Sequence, residues 1–251
     1  MGKLIAVTGK GGVGKTTISS LLVRSMIKRG SSPILVVDAD PNSNLNEVLG
    51  LKVDETIGSI REDMAEKSGS MPGGMAKHEY LDMKVQECLV EAKGFDLIVM
   101  GRPEGPGCYC FANNVLRDVL KALGKGYTRI VIDNEAGMEH MSRRITTVMD
   151  HLLLVSDSSL RSVLAAERIL ELVKELKLSV GSMHLIINRV HNGLPAEVEK
   201  RIEELGLPLL DTIPEEALVR EFDGNGKPLF ELPDSSTTVQ KVEEIAARLD
   251  I

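Results

Sequence analysis

Short apolar runs alternate with longer amphipathic segments along most of the chain. The runs are rich in β-branched residues and apolar on both faces, which is the pattern of parallel strands covered on both sides of a sheet. They lie at residues 3–7, 33–37, 97–100, 129–132, 152–155 and 185–187. Each run is therefore predicted to be a buried strand.

The segments between these runs carry apolar residues at helical spacing. One stripe consists of Ile18, Leu21, Leu22 and Met26, and another of Val163, Ala166, Leu170 and Val173. Strands and helices alternating in this way predict an α/β fold, a doubly wound and mostly parallel sheet with helices on both faces. In such a fold the ligand site lies at the carboxyl ends of the strands. We expect residues 1–251 to form a single domain.

One stretch departs from this alternation. Residues 52–80 are polar and rich in Gly, Ser and Met, and they are too many for an ordinary connection. We expect them to form a mobile, functional insertion within the domain. The following residues 83–90 are predicted to add a strand, with Cys88 packed in it as a small apolar side chain.

Composition narrows the classes of function. The 251 residues carry a net charge of −7, which argues against a general affinity for nucleic acid or for an anionic membrane surface. No apolar run approaches the roughly 20 residues needed to span a bilayer. The three cysteines are too few for a disulfide framework and no signal peptide is visible, so we expect a cytoplasmic protein with reduced thiols.

Residues 9–17, Gly-Lys-Gly-Gly-Val-Gly-Lys-Thr-Thr, follow the first predicted strand and open the first predicted helix. They fit both the dinucleotide fingerprint G-x-G-x-x-G and the phosphate loop G-x-x-x-x-G-K-[ST]. Lys15 and Thr16 favour the phosphate loop, because a triphosphate with magnesium needs an ammonium group on its β- and γ-phosphates and a hydroxyl on the metal. The residues predicted to hold ATP are Gly11, Gly12, Val13, Gly14, Lys15, Thr16 and Thr17, with Thr16 as the Mg²⁺ ligand.

Lys10 is a second lysine inside this loop. The full run of residues 9–17 resembles the deviant Walker A motif of the MinD/ParA/nitrogenase-iron-protein class of ATPases. The resemblance implies that Lys10 reaches across a two-fold axis to the ATP of a partner subunit, and hence that the protein forms a homodimer. The residue pattern by itself also fits a solvated lysine.

Two carboxylates, Asp38 and Asp40, follow the second predicted strand. Two carboxylates beside phosphates suit one to hold a magnesium-bound water and the other to orient the attacking water. The family resemblance gives Asp38 the first role and Asp40 the second, so Lys10, Lys15 and Asp40 are the predicted catalytic residues. Aspartates that only cap a loop are the alternative.

Residues 133–137, Asp-Asn-Glu-Ala-Gly, resemble the switch II segment of the same class. The resemblance implies that Asp133 contacts magnesium through water and that the Gly137 amide senses the γ-phosphate. Asp-Thr-x-Ala-Gly is commoner in that class. The Asn134-Glu135 pair is therefore a departure that leaves the catalytic detail open.

Asn188 and Arg189 follow the predicted strand at residues 185–187 and resemble the adenine-recognition site of the class. Pro214, which ends a further short predicted strand, matches the position where the backbone lines the base. An Asn188 that simply caps a turn is the alternative.

Cys108 and Cys110 lie in the Gly- and Pro-rich residues 101–112, ahead of a helix expected to begin near Asn113. In an extended segment residues i and i+2 point the same way, so the two thiols would lie together. Thiolates select ions such as nickel, zinc or copper(I), and the four ligands such an ion needs could come from two subunits. Two small residues packed beneath a helix are the alternative.

The phosphate loop, residues 133–140 and the Gly-Cys-Tyr-Cys run at residues 107–110 together resemble the nickel-insertion accessory ATPases of carbon monoxide dehydrogenase and acetyl-CoA synthase, the CooC/AcsF type. The resemblance implies ATP hydrolysis, ATP-dependent dimerisation, a Ni²⁺ or Zn²⁺ ion shared by the paired cysteines, and delivery of nickel to such a client enzyme. An iron–sulfur cluster carrier and a MinD- or ParA-like positioning ATPase are the alternatives. The positioning class would need a basic tail or a basic DNA face, and neither is visible.

Overall fold

The computed structural model describes residues 2–42, 44–66, 75–102, 110–136 and 148–251. Eight strands of this part of the chain form one sheet. They are β1 Lys3–Gly9, β2 Ile34–Asp38, β3 Val90–Ala92, β4 Phe95–Val99, β5 Arg129–Asp133, β6 Val148–Asp157, β7 Ser179–Val190 and β8 Leu209–Pro214. Their spatial order is β3-β4-β2-β5-β1-β6-β7-β8, and every neighbouring pair is parallel except β3 and β4.

Helices cover both faces of this sheet. They are α1 Lys15–Lys28, α2 Leu45–Leu49, α3 Ile57–Glu66, α4 Lys77–Glu87, α5 Cys110–Leu123, α6 Leu160–Glu175, α7 Ala196–Leu205, α8 Ala217–Gly224 and α9 Thr237–Arg248, with a 3₁₀ turn at Leu229–Glu231. Among the described residues, no helix combines the length and the apolarity needed to cross a membrane.

Alternate residues of β1 belong to two separate cores. Leu4 and Ala6 pack into the cluster that includes buried residues of α3 to α7, whereas Ile5 and Val7 pack into the cluster that includes α1, α2 and α9. This two-sided burial is what the uniformly apolar runs predicted. The predicted doubly wound, mostly parallel α/β fold is confirmed.

The strand predictions were accurate where both faces are buried and short where they are not. β6 and β7 extend well beyond the predicted residues 152–155 and 185–187, and the predictions were too short because most of the additional residues are polar or only partly buried. The carboxyl ends of β1, β2, β5 and β7 lie on one edge of the sheet, and the predicted nucleotide residues lie at these ends or directly after them.

The stretch predicted to be a mobile insertion is helical at both ends. α3 and α4 occupy those ends, and Ile57, Ile60 and Tyr80 are each at most 2% exposed within the core. These residues are therefore helical and part of the core, while the mobility of the insertion stays a prediction. Residues 67–74 of the same stretch lie outside the described residues.

The added strand was also misplaced. Residues 83–87 belong to α4, and the strand that pairs antiparallel with β4 begins only at Val90. Cys88, between the two, is buried as predicted. Burial raises the pKa of its thiol to about 12, so it stays a protonated, packed side chain.

Candidate functional site

The phosphate loop joins β1 to α1 at the carboxyl edge of the sheet, where a doubly wound fold places its ligands. Gly14 is the N-cap of α1 and has a left-handed φ of 92°. A Cβ at this position would lie 2.4 Å from the Asn188 side-chain nitrogen. Glycine is therefore required for the loop to pass this close to the end of β7, and the N–H groups of the first turn of α1 are available to an anion.

Lys15 is held against the loop that it follows. Its Nζ donates to the Lys10 carbonyl at 3.2 Å, and the residue is 8% exposed. Burial lowers the pKa of Lys15, and the nearby Asp133, Asp40 and Glu135 carboxylates oppose that shift. Lys10 itself is exposed. The two lysines thus differ in their setting: Lys15 is buried beside the loop, and Lys10 is exposed to solvent.

Asp38 and Asp133 are paired in register at the ends of β2 and β5, and both are at most 2% exposed. The Asp38 carboxylate accepts the backbone N–H groups of Asp40 and Leu45, each at 3.0 Å. The Asp133 carboxylate accepts the Ser19 hydroxyl at 3.0 Å. Both side chains are fixed in position by these contacts.

The pKa values of both carboxyl groups are raised. Burial, followed by the nearby Asp133, raises the pKa of Asp38 to about 7. Burial raises the pKa of Asp133 to about 6, against hydrogen bonds from Thr16 and Ser19 that lower it. Two adjacent carboxylates that ionise reluctantly, next to a threonine hydroxyl, have the oxygen chemistry that Mg²⁺ prefers. These residues fit the predicted magnesium site.

Asp40 makes a local turn. Its Oδ1 accepts the backbone N–H of Asn42 at 2.8 Å and the Asn42 side-chain amide at 3.1 Å. This is the loop-capping geometry that the sequence left open as an alternative. The role of Asp40 toward an attacking water stays a prediction.

The start of the predicted switch II lies against the phosphate loop. A Cβ at Gly11 would be 3.4 Å from the Cβ of Ala136. Asn134, the departure from the commoner pattern, is 7% exposed and donates from its side chain to the Val7 carbonyl at 2.9 Å. Asn134 therefore joins the end of β5 to β1, while Gly137 lies outside the described residues.

A cavity of about 310 Å³ opens beside the loop. Four residues predicted from the sequence, Thr17, Asn188, Arg189 and Pro214, line it together. Other residues that line the cavity were not predicted, among them Glu216, Val219, Asp223, Leu229 and Thr238. They come from α8, the 3₁₀ turn and α9 and their neighbouring residues, and they share no sequence pattern that could have linked them.

Asn188 and Arg189 tie this cavity to the phosphate loop. The Asn188 side-chain amide donates to the Val13 carbonyl at 2.8 Å, and the Arg189 guanidinium donates to the Gly12 carbonyl at 2.8 Å. Asn188 thus contacts the loop instead of capping its own turn. Arg189 adopts a left-handed φ of 56°, a conformation that non-glycine residues rarely adopt and that is common at functional sites.

The predicted metal loop at residues 101–112 differs from expectation. Cys110 begins α5, so residues 110–112 form a first helical turn and not an extended segment or a helix starting near Asn113. Cys108 lies outside the described residues. Within the part of the chain that the structure describes, no three His, Cys, Asp or Glu side chains are grouped to hold a metal ion. The cysteine site stays a prediction.

Comparison with known proteins places this geometry in context. Residues 4–229 match the family described as the CobQ/CobB/MinD/ParA nucleotide binding domain. An uncharacterized ATP-binding protein of Methanocaldococcus jannaschii is 44% identical over 248 residues, 98% of each chain. The carbon monoxide dehydrogenase accessory protein CooC of Rhodospirillum rubrum is 30% identical over 241 residues, 91% of this chain and 89% of that protein.

A similar solved structure is that of the septum site-determining protein MinD from Pyrococcus horikoshii, complexed with Mg-ADP. It has a TM-score of 0.74 and 22% identity, covering 100% of this chain and 96% of that one. At this identity the likeness concerns the fold. The family match, by contrast, spans the phosphate loop, both carboxylate strands and most of the cavity lining. The chain belongs to the CobQ/CobB/MinD/ParA nucleotide-binding family.

Proposed function

We propose that this chain is a magnesium-dependent ATPase whose ATP-driven dimer carries nickel, or zinc in its place, and assists metal insertion into carbon monoxide dehydrogenase/acetyl-CoA synthase. The ATPase part is supported by the spatial order of three sites along one edge of the sheet. A phosphate loop with a buried lysine lies between the carboxylate pair Asp38 and Asp133 on one side and a cavity of about 310 Å³ on the other.

In this proposal each part of ATP meets a different group. The loop amides and Lys15 bind the triphosphate, and Thr16 ligates magnesium, which Asp38 and Asp133 contact through water. The adenine enters the cavity lined by Asn188, Arg189 and Pro214. A bound cation also offsets the charge that the two buried carboxylates carry poorly by themselves.

The ATPase is tested by phosphate release with Mg²⁺ and ATP. Lys15→Ala should lose hydrolysis and most nucleotide affinity, because the phosphate charge is left uncompensated in a buried site. Lys174→Ala, which changes an exposed lysine of α6, is the matched control and should behave like the wild type. Normal hydrolysis by Lys15→Ala would contradict the placement of the site.

The metal part rests on the 30% identity with CooC over 91% of this chain and on the cysteine pair. If Cys108 and Cys110 of two subunits form one four-sulfur site, the stoichiometry is one divalent ion per dimer. The metal then favours dimerisation by mass action, because it binds tightly only to the paired state. Affinity falls as the pH falls, since thiols must lose protons to become ligands.

The decisive experiment is an anaerobic titration with nickel and with zinc under reducing conditions. The double variant Cys108→Ser/Cys110→Ser should lose tight binding but keep ATP hydrolysis. Cys88→Ser, which alters the buried thiol, is the control and should bind metal like the wild type. Equal affinity in the double variant and the wild type would exclude the cysteine site.

The same preparations separate the alternative functions. Stoichiometric iron and sulfide on the cysteines, in place of nickel or zinc, would indicate an iron–sulfur cluster carrier. ATP-dependent dimerisation without any metal would leave a MinD- or ParA-like positioning ATPase.

A further inference from the structure

Arg24 lies on α1, nine residues beyond Lys15. Its guanidinium donates to the backbone carbonyls of Phe230, at 3.2 Å, and Leu232, and to the Asp234 carboxylate at 2.5 Å. The side chain is 19% exposed. All three acceptors belong to one short segment, residues 226–234, which we call the base loop.

The base loop reaches the cavity assigned to the adenine through one side chain. Leu229 lines that cavity and is 2% exposed, and the Phe230 ring packs on Phe95 with centroids 5.8 Å apart. A second cavity, of about 550 Å³, adjoins the first and shares Asp223 and Leu229 with it. Leu229 and Leu232 are also buried in the hydrophobic core, so packing and the polar contacts from Arg24 together hold the base loop in place.

We propose that Arg24 is a positioning residue that fixes the base loop relative to the phosphate loop and thereby sets the affinity for the adenosine part of ATP. This inference rests on the proposed ATP site. Arg24 does not line the cavity and acts through Leu229. α1 connects the phosphate loop to the base loop. A helix rises 1.5 Å per residue, so Lys15 and Arg24 lie roughly 14 Å apart along its axis.

The chemistry of arginine suits this role. A guanidinium presents five N–H donors in a fixed fork and can satisfy two carbonyls and a carboxylate at once. A lysine in the same place has one charged nitrogen and cannot reproduce that geometry. The anchor therefore depends on the shape of the side chain as well as on its charge.

The test compares two ligands by calorimetry, Mg-ATP and Mg-tripolyphosphate, on wild type and Arg24→Gln. Tripolyphosphate occupies only the phosphate loop, whereas ATP also needs the cavity. Arg24→Gln should bind ATP about tenfold more weakly, the effect of losing one charge-assisted hydrogen bond, and bind tripolyphosphate normally. Arg24→Lys should recover only part of the ATP affinity.

Lys28→Gln is the matched control. Lys28 lies one turn further along α1 and forms ion pairs with Asp234 at 3.5 Å and Glu243 at 2.9 Å, both through side chains. It shares one partner with Arg24 but its described contacts do not include the Phe230 or Leu232 carbonyl. Affinity for both ligands should be unchanged in this variant.

Equal losses for the two ligands in Arg24→Gln, or an unchanged affinity for ATP, would overturn the proposal. Should Arg24→Gln not fold, Arg24→Lys, which keeps the charge and the apolar stem, is judged by the same two criteria. A wild type that binds tripolyphosphate but gains nothing from the adenosine refutes the positioning role alone. A wild type that binds neither ligand refutes the proposed ATPase as well.

Discussion

Asp133 carries its carboxylate almost completely out of water, beside the equally buried Asp38. Burial is the main reason that the pKa of Asp133 rises from 3.8 to about 6. As the pH rises from about 4 to about 6, the unfolded chain therefore releases a proton that the folded chain keeps. Folding becomes less favourable through this window, and the destabilisation is complete above about pH 6.

The first prediction is that Asp133→Asn stabilises the nucleotide-free protein at pH 7.5 and changes its stability little near pH 4. Asparagine cannot ionise, and its oxygen can still accept the Ser19 hydroxyl that Asp133 accepts at 3.0 Å. Urea unfolding in the presence of EDTA at the two pH values measures the effect. A variant that is less stable than the wild type at pH 7.5 would contradict the argument.

Asp54→Asn is the control for this comparison. Asp54 has a side chain that is 73% exposed and pairs with Lys52 on the surface. Surface substitutions of this kind change the free energy of unfolding by at most about 0.5 kcal/mol. Its effect should be equally small at both pH values.

The residues of the nucleotide site differ in how far the sequence identified them. Gly14, Lys15 and Thr16 are consecutive, because phosphates are bound by one local loop with fixed chemistry. Leu229 and Val219 could not be predicted, since they reach the cavity from separate segments and contribute only apolar surface. Asn188 is intermediate. Its type and its place after a strand indicated the site, but its bond to the Val13 carbonyl had to come from the structure.

Secondary-structure elements also differ in how far the sequence identified them. Strands buried on both faces were predictable, and helices with only a few buried residues were not. β1 and β5 were predictable because they are apolar on both faces. α3 and α4 were missed because a few buried residues, Ile57, Ile60 and Tyr80, are spaced among polar ones in a stretch rich in Gly, Ser and Met. The polar composition of this stretch obscured the helical spacing of its few apolar side chains.

The pairing of β6 with β7 brings together a cluster of two histidines and a serine that the pattern of apolar residues did not reveal. His151 and His184 both contact the Ser182 hydroxyl, at 2.8 and 3.1 Å. Burial lowers the pKa of both rings, and the nearby Lys3 adds to the effect on His151. The folded state therefore favours neutral rings. As the pH falls through 6.5, the unfolded chain takes up protons first and stability is lost.

The second prediction concerns this acid sensitivity. His184→Gln should lose less stability than the wild type between pH 7 and pH 5, because one of the two destabilising protonations is removed. The readout is the change in the free energy of unfolding with pH, measured by urea titration, and not its absolute value. His78→Gln alters an exposed histidine of α4 and should keep the wild-type pH dependence. Identical slopes for His184→Gln and the wild type would rule out the histidine pair as the cause.

At the scale of the whole protein, the net charge and the exposed Lys10 bear on how two copies of the chain associate. Each chain carries a net charge of −7, so two copies repel each other at long range and need a specific contact to associate. Lys10 is exposed, while its backbone carbonyl accepts the Lys15 ammonium at 3.2 Å. A lysine whose backbone is fixed by the loop and whose side chain faces solvent can reach the ATP of another subunit. The contact between Lys10 and that ATP would then be the specific attraction that overcomes the repulsion.

The third prediction follows from assigning Lys10 to association and Asp40 to hydrolysis. Asp40→Ala should bind ATP but hydrolyse it slowly, so that the ATP-bound dimer accumulates. Lys10→Ala should bind ATP with its phosphate loop intact and remain monomeric, because the contact across the two-fold axis is lost. Size-exclusion chromatography with and without Mg-ATP distinguishes the two outcomes.

Lys125→Ala, at an exposed position after α5, is the control for loss of one positive charge and should dimerise like the wild type. Opposite shifts of the two variants, one towards dimer and one towards monomer, would show that association and hydrolysis depend on different side chains. If Lys10→Ala and Asp40→Ala both elute like the wild type, Lys10 is a solvated surface lysine and the deviant phosphate loop does not act across subunits.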